Sequence, residues 1–291
     1  PYRRYAASQL DVSEWQHQQV QLNHVLERDN LTVSTDIYRK DFKRDWFKLN
    51  SFGAGSTVSV GDVLKDPTGD NQGYYEVLSG QLNNVGEFDQ LMIGNNGRDY
   101  ISQGIQTKLN SDLFTFGYAH KLEVGVRIHM DEVKRHHSQQ AYDMVSGELQ
   151  QAADSAIEST TENTGEATAI ALYVKDDIEM GNTTLSLGLR SENIESKLTN
   201  HLDDNSSTTS TQNVLLPGVG TFTQINESFG ILAGIHKGFV AVAPGQDGDV
   251  DAEESINYEL GFRLHNGHQV EVVAYANDYS NLKEACSISV I

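Results

Sequence analysis

Apolar and polar residues alternate along much of this chain. The clearest run is Leu122, Val124, Val126, Ile128 and Met130, interleaved with Lys121, Glu123, Gly125, Arg127, His129 and Asp131. A period of two predicts a strand with one apolar and one wet face. The pattern returns at Leu185, Leu187 and Leu189, and at Phe229, Ile231, Ala233 and Ile235. It appears again at Ile256, Tyr258, Leu260, Phe262 and Leu264, and at Val270, Val272, Ala274 and Ala276. Strands of this kind suit a wall between lipid and a polar lumen. The expected fold class is therefore all-β, an antiparallel up-and-down transmembrane β-barrel.

The connections sharpen that expectation. A first strand is predicted from about Trp15 to Glu27, and Arg28-Asp29-Asn30 turns tightly into a second, opened by Leu31, Val33, Thr35 and Ile37. That strand continues into a charged stretch, Arg39 to Leu49. A Gly-rich polar connection is predicted from Asn50 to Gly97, and the next strand sets Ile101, Ile105 and Leu109 against Arg98, Tyr100 and Gln106. Further connections are expected at Asn110–His120, at Glu132–Glu166, at Ser191–Gln212 and at Ala241–Glu254. Met180-Gly181-Asn182, Asn226-Glu227 and Asn266-Gly267 are short, and the last is a strong hairpin dipeptide. The result is about ten strands with alternately short and long connections. Outer-membrane barrels have that asymmetry, whereas compact soluble domains keep most connections near ~4–6 residues.

Composition changes the picture in three places. Only 38% of the residues are hydrophobic, and no window approaches the ~18 apolar residues of a membrane helix. A barrel strand needs only ~9–11 residues with alternate ones apolar, so low hydrophobicity does not exclude a membrane protein. The 21 basic and 41 acidic residues leave a net charge of −20, which argues against a nucleic-acid partner, since phosphate contacts need Lys and Arg. Disorder suits Ser206–Thr211 but not the patterned remainder. The single cysteine, Cys286, allows no internal disulfide framework and no zinc signature. A free thiol and a partner beyond Ile291 are equally open for it. Pro1-Tyr2-Arg3-Arg4-Tyr5 lacks the apolar core of a signal peptide, and Ser289-Val290-Ile291 is not a recognisable closing strand. Both ends read as cuts through a longer protein.

Several segments resemble TonB-dependent outer-membrane receptors of the ferric-dicitrate and siderophore branch. They are YRKDFKRDWFKLN at Tyr38–Asn50, NNGRDYISQGIQTKL at Asn95–Leu109 and HKLEVGVRIHMDE at His120–Glu132. LPGVG at Leu216–Gly220, GIHKGF at Gly234–Phe239, EESINYELGFR at Glu253–Arg263 and NDYSNL at Asn277–Leu282 follow in the same order. The resemblance covers nearly the whole chain and implies residues 1–291 of a 22-stranded barrel, a size class with a plugged lumen. The plug, the TonB box and the closing strands are expected outside this stretch. Also implied are an iron chelate as cargo, with no cofactor of the protein's own, and the TonB-ExbB-ExbD complex as partner through the plug. The expected setting is outer-membrane lipid in the bacterial cell outer membrane. Binding and gated passage, not catalysis, would be the work. About ten strands alone would leave unpaired edges that a bilayer does not tolerate, so function is stated for the parent protein.

Parity assigns faces to candidate residues. Arg98, Tyr100 and Gln106 oppose Ile101 and Ile105; Arg127 and His129 oppose Ile128; His236 opposes Ile235. Most ferric siderophores and ferric citrate are anionic, and Arg grips carboxylates bidentately. Arg44, Arg98 and Tyr100, near the long-loop end, are the first candidates for ligand contact, with His129 and His236 after them. The competing reading is that a lumenal Arg pairs with the plug or a neighbouring strand. For Arg127, Arg190, Glu259 and Arg263 plug contact is the better expectation. For Trp46 and Phe47 a place in an interfacial aromatic girdle competes with a ligand platform.

No metal site is expected. His136 and His137 are adjacent and would point to opposite faces of a strand, and a solvated loop is the simpler reading for them together with His129 and Asp131. The acidic run Asp247, Asp249, Asp251, Glu253 and Glu254 lacks the spacing of a complete calcium loop. Gly53-Ala54-Gly55 is loop and not a phosphate cradle, and no serine–histidine or cysteine–histidine constellation can be built. Two other classes compete with the receptor: a passive porin-like barrel, which needs no plug, and a soluble β-rich adhesin or binding module, whose apolar stripes would pack into a dry core.

Overall fold

A computed structural model describes residues 5–53, 56–85, 88–246 and 250–282. Its strands are β1 (Val12–Arg28), β2 (Leu31–Phe52), β3 (Leu91–Thr115), β4 (Tyr118–Val145), β5 (Glu148–Gln151), β6 (Glu158–Met180), β7 (Thr183–Asn200), β8 (Ser206–Asn226), β9 (Phe229–Val240), β10 (Glu253–His265) and β11 (Gln269–Ser280). They form one antiparallel up-and-down sheet in chain order, with β5 hairpinned onto β4 outside the main path. Among the described residues β1 and β11 stand at its two ends, so the barrel is not closed within this stretch. No helix among them is long and apolar enough to cross a membrane.

Register aligns the apolar positions into a lateral band. Ile37 pairs with Leu22 and Ile105, Ile105 with Ile128, and Ile128 with Ile170. Farther along, Leu189 pairs with Val174, and Ile235 with Val219 and Tyr258. These side chains are not tucked beneath a second layer: Val124, Val126 and Ile128 are 41%, 39% and 36% exposed, and Leu260 is 62% exposed. A continuous exposed apolar face of this extent belongs against lipid, because a soluble protein rarely leaves so large a patch uncovered.

The band lies close to the tight turns at 29–30, 116–117, 181–182, 227–228 and 266–268. Phe116 and Gly117 both have positive φ, 52° and 84°, the backbone of a two-residue hairpin whose twist matches its strands. At the opposite end the strands continue far beyond the band. β4 has 28 residues, well over the ~9–11 that cross a membrane.

That extension corrects the expected connections. Most of Glu132–Glu166 and Ser191–Gln212 is strand, and β7 reaches β8 through residues 201–205. Asn110–His120 is strand apart from the Phe116-Gly117 turn. Beyond the lipid the two-residue hydrophobic period fades, although backbone pairing and β-branched Thr still favour the strand. Side-chain pairs such as Ser196–Ser210, 2.9 Å apart, help hold the extension.

The Asn50–Gly97 region also differs from a plain loop. It contains α1 (Val60–Lys65), capped by Ser59 Oγ accepting from the Gly61 and Asp62 amides, and α2 (Gln72–Leu78). Val63, Val77 and Leu78 from these helices bury against Ala7, Phe52, Leu91, Ile93 and Met144. Leu91 and Ile93 share the strand parity of Ile101 and Ile105, so this compact core covers the outward face beyond the apolar band. Asn84, fully buried, locks it: Oδ1 accepts from the Met144 amide at 2.7 Å, and Nδ2 donates to Asp143 and to the Asp89 carbonyl, each at 3.2 Å. The connection is thereby folded away from the polar face.

Candidate functional site

Toward the loop end, the polar face of β1–β4 carries a row of cations. Trp15 pairs with Arg44, Arg44 with Arg98, Arg98 with Arg135, and Arg135 with Asn163. Neighbouring strands lie ~4.8 Å apart, so three guanidiniums emerge side by side. Like charges directly opposite one another repel. Among the described residues none of Arg44, Arg98, Arg127 and Arg135 has a carboxylate within 4.0 Å. Arg44 Nε is buried without a hydrogen-bond partner. Arg135 Nη1 donates to Asn163 Oδ1 at 3.0 Å, and Arg98 donates to Tyr100 Oη and His137 Nε2, both at 3.4 Å. His137 stands on the part of β4 beyond the apolar band. Burial, then the charges of Arg98, Arg135 and Arg44, hold its imidazole below the usual histidine value. The row therefore presents concentrated positive charge beside a neutral imidazole, an arrangement suited to an anion with several acceptor oxygens.

Below the row, Phe42 lies 5.7 Å from Tyr100 and 6.3 Å from His17. Above it, Trp46 has Lys48 Nζ at 4.9 Å and the Arg44 guanidinium at 5.7 Å from its ring centroid. Trp46 is thus on the polar face, and Phe47 packs against the outer core on the other. Neither occupies a lipid-facing girdle. The girdle reading fails because one residue of register decides which face an aromatic takes.

Farther down the same face, His129 is engaged at both nitrogens. Tyr38 Oη and His129 Nδ1 are 2.6 Å apart, His129 Nε2 and Asp131 Oδ2 are 2.9 Å apart, and Arg127 Nη2 donates to Tyr38 Oη at 3.1 Å. With a carboxylate accepting at Nε2, Nδ1 accepts the tyrosine proton. The hydrogen bonds run in one chain from Arg127 through Tyr38 and His129 to the accepting carboxylate of Asp131. Gly104 makes room for it, since a Cβ there would come within 2.7 Å of Tyr38 Oη.

The face of β6–β10 looks different. A depression of about 610 Å³ is floored by Gly188, Gly218, Gly220 and Gly234, with Arg190, His236 and Glu259 among its lining residues. Gly188 pairs with Gly218, and Gly220 with Gly234. A Cβ at Gly188, Gly220 or Gly234 would meet nothing nearer than 3.7 Å. The wall's own packing therefore does not require these glycines, unlike Gly125, whose Cβ would strike the Tyr173 ring at 2.2 Å. Glycine inside a strand that needs none for packing marks a close approach by something else. The arginines here are neutralised. Arg190 pairs with Glu192, and Arg263 with Glu271 at 2.6 Å while lying 5.1 Å over Phe222.

The chain matches the model of the TonB dependent receptor-like β-barrel over residues 1–286. It belongs to the TonB-dependent receptor β-barrel family. Its apolar band is accordingly the lipid face and its polar face the lumen wall. Proteins of this family are outer-membrane transporters and not enzymes. Among solved structures, the unliganded ferric citrate transporter FecA superposes with a TM-score of 0.68 at 18% identity, over 92% of this chain and 35% of that one. The ferric-catecholate import receptor Fiu from K12 E. coli, in its closed form, gives 0.66 at 12%, over 95% and 42%. The siderophore receptor PiuA from Acinetobacter baumannii gives 0.65 at 14%, over 91% and 40%. The chain therefore spans well under half the length of these proteins, and at such identities the likeness concerns the fold.

Arg44, Arg98 and Tyr100 converge near the loop end of the lumen, and Arg127 and His129 form the network beneath them. His236, Arg190 and Glu259 border the glycine floor instead. Arg135, His137 and Tyr38 were missed: the first two lie in a stretch whose periodicity reads as loop. Among the described residues no group of three or more His, Cys, Asp and Glu side chains is arranged to hold a metal. His136 and His137 lie on β4 and not in a solvated loop. Cys286, Ala54, Gly55 and residues 247–249 of the acidic run lie outside the described residues.

Proposed function

We propose that the intact protein resides in the bacterial outer membrane and actively imports an anionic ferric chelate, ferric citrate or a related siderophore. The observation that carries this reading is the Arg44–Arg98–Arg135 row, three guanidiniums side by side on the lumen wall with no carboxylate within 4.0 Å among the described residues. Arg44, Arg98 and Tyr100 would contact the chelate first, with Arg135 beside them. His129 and His236 are secondary contacts. Iron enters as part of the cargo.

A plug elsewhere in the intact chain would fill the lumen and engage TonB-ExbB-ExbD, and Arg127, Arg190, Glu259 and Arg263 would face it. The glycine floor supports a plugged barrel over a passive pore, because its missing side chains admit a closely packed backbone. The test is titration of ferric chelates into the full-length protein in detergent. Micromolar or tighter binding, lost on replacing Arg44 and Arg98 together, is the expected result. Absence of binding by ferric citrate, hydroxamate and catecholate complexes alike would overturn the reading.

A further inference from the structure

Both tryptophans of the chain, Trp15 and Trp46, stand on the lumen face of β1 and β2 and not in an interfacial girdle. Trp15 is directly across from Arg44. One step along β2, Trp46 carries Lys48 and Arg44 against its ring. On the other side of the arginine row, His17, Phe42 and Tyr100 occupy consecutive cross-strand positions with ring centroids 6.3 and 5.7 Å apart. The unpaired cations are therefore bracketed above and below by aromatic surface. Trp46, on an interior strand of the sheet, is 41% exposed, so its ring has surface left to cover.

A carboxylate-only chelate such as ferric dicitrate would use the guanidiniums and leave the rings idle. A chelate that brings its negative charge on aromatic rings would use both. Its oxygens would take the Arg N–H donors, and its rings would stack edge or face against Trp and Phe, where aromatic pairs contribute beyond area burial. The cations already at Trp46 favour an anionic ring in the same place, since the guanidinium plane stacks on aromatic faces as well as pairing with oxygen.

We infer that this lumen mouth selects an aryl-bearing ferric chelate, of catecholate or phenolate type, over a carboxylate-only one. The inference rests on the reading that an anionic ferric chelate binds at the arginine row. It adds Trp46 and Phe42 as specificity-determining residues.

The experiment is calorimetric titration of the full-length receptor in detergent with a preassembled hexadentate ferric tris-catecholate and, separately, ferric dicitrate. Wild type is compared with Trp46→Leu, Phe42→Leu and Arg44→Ala, each checked for heat-modifiable gel migration as evidence of a folded barrel. The expected result is catecholate binding at least about tenfold tighter than dicitrate. Trp46→Leu and Phe42→Leu should each weaken catecholate about tenfold and dicitrate less than about twofold, as loss of one aromatic contact of roughly 1.4 kcal/mol would do. Arg44→Ala should weaken both chelates. Dicitrate binding as tightly as catecholate, or leucine variants that weaken both equally, would overturn the selectivity while leaving the chelate reading intact. Failure of both chelates to bind would overturn the inference, and failure of a hydroxamate complex as well would overturn the chelate reading with it.

Discussion

The two halves of this wall share a lipid face and differ in what they present to the lumen. Across β1–β4 the lumen carries large side chains, with unpaired Arg44, Arg98 and Arg135 set among Trp15, Trp46, Phe42 and Tyr100. Across β7–β9 the wall is bare, with glycines that its packing does not demand, and from β7 to β11 its arginines are already held by Glu192 and Glu271. Pairing and outward hydrophobicity are constrained by backbone and bilayer, so they recur in both halves. The inward positions are free of both constraints and have specialised, one half for charge and rings, the other for close approach.

The comparison breaks most readily at the arginine row. Arg44→Ala combined with Arg98→Ala removes two sets of charge-assisted bonds at roughly 1.5–3 kcal/mol each, so chelate affinity should fall by about 100-fold or more. Arg263→Ala should stay within about twofold, because Glu271 already occupies that guanidinium. Equal losses in the two variants would show that the halves are not divided in this way.

Next in size is the glycine floor. Gly220→Phe and Gly234→Phe, each made singly, start from a Cβ that meets nothing nearer than 3.7 Å in the wall, yet each would fill the space above the floor that the proposed plug needs. Radiolabelled iron uptake should drop by about tenfold while chelate binding changes less than twofold. Unaltered uptake would leave the bare floor without a lumenal partner.

The outer core gives an effect confined to stability. Leu78→Ala deletes a fully buried side chain and should cost about 2–5 kcal/mol locally. Limited proteolysis should then open the 56–90 connection with the barrel's heat-modifiable migration unchanged; cleavage no faster than wild type would contradict its anchoring role.

The smallest expected effect is pH dependence at His137. Its imidazole titrates below the usual value, so it is neutral at pH 7, and a seated anion raises that value. Binding then takes up a proton, and affinity should rise as pH falls through the region below about 6.5. The ratio of wild-type to His137→Gln affinity should grow by roughly threefold between pH 7.5 and 5.5, a ratio that cancels protonation of the chelate. A flat ratio would remove His137 from the site.

Much of the fold was legible because lipid writes a period of two. The runs at 122–130, 185–189, 229–235 and 256–264 each lie within a strand, and parity correctly separates Arg127 from Ile128 and Arg98 from Ile101. Legibility stopped where the lipid stops. Beyond Met130 the outward face of β4 leaves the lipid, and its polar residues no longer alternate with apolar ones until Met144 enters the outer core, so Arg135 and His137 carry no periodic signal and their strand reads as loop. Trp46 and Phe47 show the opposite failure, since two adjacent aromatics offer no means of telling lumen from outer core without the pairing of β2 with β3.

The residues alone determined a one-sided apolar strand repeated along the chain, its short turns, and a set of inward cations. Those follow from local alternation and turn chemistry, which act over a few residues. Only the assembled sheet decided that Arg44, Arg98 and Arg135 are neighbours and that glycines from β7, β8 and β9 merge into one floor. These depend on cross-strand register over separations of tens of residues, and register is a property of the paired strands together.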